Sequence, residues 1–282
     1  MSSMKTIKRR LKSVDSTKKI MMAMDLVAAA KLQKARTRLE ASRPFTDEIK
    51  KLMAAFGHCE EAGEHIFFKP RRVRRTAYVV ITSDRGLCGN HNLNLTEKVL
   101  SHINAGKNER IIAVGLKGHE YFHLRGKNIL CTYPDISETA FYEDAERIAD
   151  FLASLYASGE VDEAYAAFTQ FESALTHVPR VERILPVSLC LETASKAGGT
   201  RYEPDVHPFI DHAIPMYLSA FVYAALNESS ACEQAARMVS MKSAADNASE
   251  IIGKLTRVYN RRRQASITQE ISEIVSSANM LK

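Results

Sequence analysis

The C-terminal quarter of the chain lacks the residues that interrupt helices. Between residues 214 and 281 there is no proline after Pro215, and Gly253 is the single glycine. Its apolar residues recur every three or four positions, as along the seam of a helix that packs lengthwise on another helix. They are Ile214, Leu218, Phe221, Ala225, Ala245, Ala248, Ile252, Leu255, Tyr259, Ile267, Ile271, Ile274, Ala278 and Leu281. The spacing predicts a helix roughly 100 Å long, too long for a globule about 50 Å across.

The N-terminal segment, from about residue 4 to residue 55, repeats this pattern. Its seam consists of Ile7, Leu11, Val14, Met21, Met24, Ala28, Leu32, Ala35 and Leu39. Pro44 is expected to end or kink this helix near Arg43. Two matching seams at opposite ends of one chain predict an antiparallel coiled coil.

The N-terminal helix, at ~75 Å, is too short to cover the whole C-terminal seam. We therefore expect Ile267, Ile271, Ile274 and Leu281 to lack an internal partner. An exposed apolar tip of this kind indicates a partner outside the chain.

The middle of the chain contains the turn-forming residues. All eight prolines lie between Pro44 and Pro215, and eleven of the twelve glycines lie between Gly57 and Gly199. Strands are predicted over residues 76–82, 110–114, 128–133, 161–171 and 180–191, and helices over 93–105, 116–124 and 139–156. This alternation predicts an inserted, mainly parallel, Rossmann-like α/β domain. The last two strands have no helix between them and are predicted to pair antiparallel. The predicted boundaries are 1–56, 76–205 and 210–282.

Positive charge is concentrated at the N-terminus. Residues 1–45 contain twelve Lys and Arg against three acids, or +9, and residues 210–282 contain eight against seven, or +1. The net charge of +6 therefore leaves 6 − 9 − 1 = −4 for the middle. A basic arm favours an acidic partner, although a solvated helix face explains the same charges.

Other features of the composition narrow the class of protein. No apolar run approaches the ~20 residues of a membrane span, and no secretory signal is recognised at the N-terminus. Five scattered cysteines without a C-x-x-C pair indicate a reducing compartment.

The polar loop of residues 83–92 follows the first predicted strand, where α/β enzymes bind phosphate. Its glycines, Gly86 and Gly89, are spaced G-x-x-G, which matches neither common phosphate-binding motif. We interpret the loop as a tight turn, and Cys88 as a packed residue rather than an activated thiol. We interpret the nine histidines as lacking any H-E-x-x-H or H-x₃-H pairing, and we predict no catalytic residue, metal site or cofactor.

Segments at both ends and in the middle of the chain carry distinctive motifs. The N-terminal ones are residues 7–14 (IKRRLKSV), 18–20 (KKI) and 23–32 (AMDLVAAAKL). Residues 81–89 (ITSDRGLCG) cover the end of the first predicted strand and its loop. The C-terminal ones are residues 238–247 (MVSMKSAADN) and 259–275 (YNRRRQASITQEISEIV). In this order along the chain, the segments resemble the gamma subunit of F-type ATP synthases. Two departures are Asn90, where the family usually has glycine, and the terminal SANMLK of residues 277–282, which replaces a Gly-Ala pair and small apolar residues.

The resemblance implies a non-catalytic rotor shaft. In that family the coiled coil stands inside a ring of alpha and beta subunits, and the α/β domain holds the epsilon subunit and sits on the membrane c-ring. This implies a peripheral position on the cytoplasmic face of a bacterial inner membrane, with no nucleic-acid partner. The residues expected to contact other subunits are Arg9, Arg10, Lys19, Met24, Arg263, Gln264, Gln269 and Glu273.

Two other classes of protein fit parts of the sequence. A nucleotide-dependent enzyme would use the central domain, but the glycine spacing of the loop argues against it. A nucleic-acid-binding coiled coil would use the basic arm and show salt-sensitive affinity. The N-terminal segment offers only Phe45 and Phe56 as aromatic residues for stacking on bases.

Overall fold

The computed structural model describes residues 4–56, 63–103, 108–138, 140–187 and 206–280. The helices are α1 (Met4–Ala55), α2 (His91–His102), α3 (Leu116–His123), α4 (Tyr142–Ala157) and α5 (Val206–Met280). The strands are β1 (Arg75–Ile81), β2 (Asn108–Val114), β3 (Ile129–Tyr133), β4 (Glu163–Phe171) and β5 (His177–Leu185). The chain divides into two compact units, residues 29–237 and residues 1–28 with 238–282.

The larger unit is built on a five-stranded sheet in the order β3-β2-β1-β4-β5. Strands β1 to β4 run parallel, and β5 pairs antiparallel with β4. Tyr78 at the centre of β1 stands opposite Ile111 of β2 and Tyr165 of β4. The predicted mixed sheet and its antiparallel final pair are confirmed. The predictions for residues 104–105, 139 and 188–191 lie outside the described residues.

The sheet is covered on both faces, as parallel strands require. Ala77, Val79 and Ile81 of β1 point to a core that also includes α4 and segments of α1 and α5. Tyr78 and Val80, on the alternate positions, pack with residues of α2 and α3. All five of these side chains are buried. Each face of the strand therefore has its own hydrophobic core.

Two prolines lie inside the long helices. Helix α1 continues past Pro44 to Ala55, so of the two expected effects, an end or a kink near Arg43, the helix end does not occur. Helix α5 begins at Val206, and Pro215 lies inside it. A proline removes one backbone hydrogen bond, but Ile210 and Ile214 beside Pro215 are buried in the core. Tertiary packing of this kind outweighs local propensity in long helices.

The smaller unit contains the beginning of α1 and the end of α5, which form the predicted antiparallel coiled coil. Its seam residues include Ile7, Ala28, Ala245 and Ala248, all of which are buried. On α5 the seam becomes partly exposed from Ile252 onward.

The apolar tip predicted for α5 is confirmed in the part of the chain that the structure describes. Ile267, Ile271 and Ile274 are 47%, 56% and 68% exposed, respectively. Leu281, also predicted to belong to the tip, lies outside the described residues. An exposed apolar row of this kind is costly in water and indicates an interaction surface.

One stretch of α5, within Pro208–Ser277, is long and apolar enough to cross a membrane by length and composition alone. However, 56% of its most apolar window is buried inside the protein. The core helix of a soluble protein passes the same test, so this stretch is weak evidence for a membrane span.

Candidate functional site

The 83–92 loop is closed by its own hydrogen bonds. The Ser83 amide donates to Asn92 Oδ1 (3.0 Å), and Asn92 Nδ2 donates to Ser83 Oγ (2.6 Å). The Asp84 carboxylate accepts bonds from the Leu116 amide (3.1 Å) and from Ser137 Oγ (2.8 Å). These bonds tie the ends of β1, β2 and β3 together. They support the interpretation of the loop as a structural turn.

Backbone conformation explains where this turn needs glycine. Gly89 has a φ of 57°, in the left-handed region that glycine adopts without cost. Leu87 also has a positive φ, of 65°. Asn90, which stands where the resembled family usually has glycine, has an ordinary φ of −88°. A side chain at position 90 therefore places no strain on the loop.

Cys88 is a packed residue, as predicted. Its side chain is 2% exposed, and burial raises the pKa of the thiol. Its Sγ lies 3.7 Å from Ser83 Oγ and accepts a bond from Asn92 Nδ2 (3.4 Å). A reactive cysteine needs a lowered pKa and access, and Cys88 has neither.

A buried ion pair on α5, Arg237–Glu233, holds the 83–92 loop against that helix. This pair was not predicted from the sequence. Arg237 donates to Glu233 Oε1 (2.7 Å) and to the backbone carbonyls of Arg85 and Gly86 (3.3 Å each). The side chains of Arg237 and Glu233 are 8% and 2% exposed. Burial raises the pKa of the Glu233 carboxyl, and the neighbouring guanidinium opposes that rise. The i,i+4 spacing of two opposite charges on a predicted helix was the signal available in the sequence.

The predicted contact residues of α1 lie on the surface of the smaller unit. Arg9, Arg10 and Lys19 are exposed, and Met24 is half-buried. Lys19 forms an exposed ion pair with Asp15 (2.9 Å). Exposed pairs contribute little to stability, so the three cationic side chains remain available to a partner.

Four apolar side chains of α1 add to this surface. They lie outside the buried seam and are half or more exposed: Ile20, Met22, Leu26 and Val27. The sequence analysis considered only the seam and missed them. Interfaces commonly combine an apolar patch with a charged rim, and the neighbouring basic residues supply such a rim.

The predicted contact residues of α5 occupy its exposed end. Arg263, Gln264, Gln269 and Glu273 are all exposed. Gln269 donates to Glu273 across one turn (2.9 Å). None of the described residues forms an ion pair with Arg263, and the pair Arg263–Gln264 directly precedes the apolar tip. Both long helices thus carry polar and apolar groups suited to binding a partner protein.

Helix α3 carries a histidine pair that our sequence interpretation overlooked. Residues 119–123 read HEYFH, which places two histidines four positions apart. The rings of His119 and His123 are stacked, with centroids 5.7 Å apart. The spacing was visible in the sequence, and the prediction of no metal site did not take it into account.

Comparison with known proteins identifies the family. A sequence profile described as ATP synthase matches residues 3–281. The ATP synthase gamma chain of Alkaliphilus metalliredigens is 42% identical over 289 residues, covering 99% of each chain. That of Desulforamulus reducens is 40% identical over 284 residues, covering all of both chains.

Solved structures share the fold. A chain from the rotor of Euglena gracilis mitochondrial ATP synthase has a TM-score of 0.71 at 18% identity, covering 94% of this chain and 98% of that one. A chain from the central stalk and c-ring of the Tetrahymena thermophila enzyme has a TM-score of 0.62 at 24% identity, covering 80% and 99%. Two long terminal helices around a mixed sheet are thus the architecture of a central-stalk subunit. The chain belongs to the ATP synthase gamma chain family.

Proposed function

We propose that this protein is the rotor shaft of an F-type ATP synthase, turning with the membrane c-ring and forcing the catalytic sites of the beta subunits through successive affinities. Nucleotide affinity is then coupled to the angle of the shaft. The shaft needs stiffness and an asymmetric surface, and it needs no reactive group. It is a non-catalytic subunit of the enzyme complex.

The exposed apolar surface of the smaller unit carries this proposal. Ile267, Ile271 and Ile274 on α5 lie open to solvent, as do Leu26 and Val27 on α1. A monomer in water rarely exposes such rows unless they bind a partner. In the proposed assembly, a ring of alpha and beta subunits surrounds the coiled coil and buries these apolar side chains. Relatives with the same full-length match are named ATP synthase gamma chains, which favours this occupant over an unrelated one.

We assign the remaining partners by the same reasoning. The basic α1 surface, with Arg9, Arg10 and Lys19, favours acidic segments of the surrounding subunits. The α/β unit is the part proposed to hold the epsilon subunit and to sit on the c-ring. The proposed location is the cytoplasmic face of a bacterial inner membrane. The inserted domain is proposed to comprise residues 76–205, between helical segments 1–56 and 210–282.

Affinity purification of the full chain tests the proposed assembly. We expect a tagged chain, expressed in its source cell, to co-purify with three alpha and three beta subunits per shaft and with ATP hydrolysis activity. Expressed alone, it should stay soluble only at low concentration, because the apolar tip is then uncovered. Native mass spectrometry gives the subunit census. Recovery of a soluble monomer from those cells, without these subunits, would contradict the proposal.

Torque transfer is proposed to depend on Arg263 and Gln264. A guanidinium bound to a carboxylate forms short, directional hydrogen bonds, which hold the shaft at one angle until nucleotide exchange. We expect Arg263→Ala with Gln264→Ala to slow ATP hydrolysis per assembled complex by about tenfold, equivalent to roughly 1.4 kcal/mol. Assembly should persist because both side chains are exposed and the seam residues are untouched.

The matched control for this double variant is Glu250→Ala with Lys254→Ala. These residues form an exposed ion pair on the same helix, about two and a half to three and a half turns before Arg263. We expect the control complex to assemble and turn over normally. Normal turnover of the Arg263–Gln264 variant would remove these two residues from the mechanism, whereas loss of assembly would make their role structural.

Cys88 provides a test of the non-catalytic assignment. Because its thiol is buried with a raised pKa, we expect Cys88→Ala to leave ATP hydrolysis by the assembled complex within about twofold of wild type, a difference of roughly 0.4 kcal/mol. Steady-state hydrolysis normalised to subunit composition is the measurement. A large loss of activity in a complex of normal composition would indicate chemistry at the 83–92 loop.

A further inference from the structure

We propose that His119 and His123 form a two-histidine binding site for a divalent transition-metal ion of the Zn²⁺ and Ni²⁺ class. The two residues lie one helical turn apart on α3, with ring centroids 5.7 Å apart and ring planes within 19°. Imidazole nitrogen is a preferred ligand of these ions. Two such ligands on one face of a helix bind the ion as a chelate. This inference is independent of the rotor assignment.

Contacts with the sheet and with α2 hold α3 in place, so the backbone positions of the two histidines are fixed. The Gly118 amide donates to Thr82 Oγ1 (2.8 Å), and a Cβ at position 118 would lie only 2.7 Å from that oxygen. Phe122 is fully buried in the core that α2 and α3 share. His119 and His123 each follow one of these inward-facing residues, so both lie about 100° around the helix from the buried face. His123 is exposed and His119 is half-buried.

One imidazole is already oriented by a neighbouring strand. His119 Nδ1 lies 2.8 Å from Thr132 Oγ1 on β3. A bond that engages Nδ1 leaves Nε2 to bind the metal, and outer hydrogen bonds of this kind are usual for metal-binding histidines. None of the described residues is hydrogen-bonded to the His123 ring, so the ring can turn toward the same ion.

The proposed site has fewer protein ligands than the zinc sites in which the H-E-x-x-H motif usually occurs. In metalloproteases this motif supplies two histidines and a general base, and a third protein ligand completes the site. Here Glu120 is paired with Lys117 (2.7 Å). No group of three or more potential ligands occurs in the described parts of the chain. The proposed site therefore has two protein ligands, with water at the remaining positions, and it is not a protease centre.

Calorimetric titration of the full chain with Zn²⁺ and with Ni²⁺ tests this assignment. We expect saturable binding of one ion in wild type. His119→Ala and His123→Ala should each weaken it by at least about tenfold, because each removes the second arm of the chelate. Mg²⁺, which prefers oxygen ligands, should not compete. His123 is exposed, so His123→Ala tests the site with little effect on the fold.

Two control variants separate this site from others in the chain. His212→Ala removes an exposed histidine of α5 that lies outside the motif, and Glu120→Gln removes the carboxylate between the two histidines. We expect both to bind as wild type does. Unchanged affinity in His119→Ala and His123→Ala, or no binding in wild type, would overturn the proposal. Weakened binding in Glu120→Gln would place a carboxylate among the ligands and overturn the two-histidine assignment.

Discussion

Replacing Arg237 by alanine is expected to lower the free energy of unfolding of the larger unit by about 3–5 kcal/mol, the cost of removing one partner of a buried ion pair. Arg237 neutralises Glu233, whose side chain is 2% exposed, and donates to the carbonyls of Arg85 and Gly86. The variant leaves the buried carboxyl of Glu233 without its ion-pair partner. It also removes the hydrogen bonds that hold the 83–92 loop to α5. Denaturant unfolding of the full chain, followed by circular dichroism, gives the stability.

Hydrogen exchange adds local resolution to this prediction. Without the Arg237 contacts, backbone amides of the 83–92 loop should exchange faster, and the change should be larger than in the sheet. The reason is that the loop loses hydrogen bonds directly, whereas the sheet does not. The control is Arg36→Ala, which breaks an exposed i,i+4 pair with Glu40 on α1. Exposed pairs contribute little, so this control should unfold as wild type does. Equal stability of Arg237→Ala and the control would show that the loop is held by other contacts.

His91 is expected to make the larger unit sensitive to acid. Burial, together with the nearby His177 and Arg237, lowers the pKa of His91 from 6.5 to about 4 in the folded chain. Between these two pH values the unfolded chain binds a proton that the folded chain excludes. Stability contributed by the neutral imidazole is therefore present above pH 6.5 and falls as the pH drops toward 4. The loss amounts to about 3 kcal/mol.

A paired set of variants isolates this contribution. The His91→Asn variant lacks the titrating imidazole. Between pH 6.5 and 4, its free energy of unfolding should therefore fall by about 3 kcal/mol less than that of wild type. His212→Asn, at an exposed position on α5, should keep the wild-type dependence. The measurement is the urea midpoint and slope at each pH. If the free energy of unfolding depends on pH in the same way in wild type and in His91→Asn, His91 is not a buried imidazole that stays neutral in the folded chain.

The metal proposal and the rotor proposal concern different parts of the chain. The histidine pair lies on α3 of the larger unit, and the contacts proposed for torque lie at the exposed end of α5. A failure of ion binding would leave the rotor assignment unaffected. Equally, normal turnover in the Arg263–Gln264 variant would leave the histidine site unaffected.

Periodic features of the sequence were sufficient to predict much of the fold. The three-and-four spacing of apolar residues predicted both long helices, because only a helix places such positions on one face. The runs of β-branched residues before glycine turns predicted the strands to within a few residues in the described ranges. The exposed tip followed from length, because a shorter helix cannot cover a longer seam.

Proline positions show the limit of this reasoning. Local rules allowed a helix end near Arg43, yet α1 runs through Pro44. A proline inside a helix costs about 3 kcal/mol or more. Burial of Leu39, Thr46 and Ile49 on the same helix outweighs that cost, and burial depends on neighbours distant in the sequence.

By itself, the sequence determined the two long helices, the mainly parallel sheet between them and the family to which the chain belongs. These follow from local periodicity and from motifs that persist along the whole chain. Only the tertiary structure decided that Arg237 is buried against Glu233 and the 83–92 loop, and that His91 sits neutral in the interior. The energy of a charge depends on whether water reaches it, and that is set by the packing of segments more than a hundred residues apart.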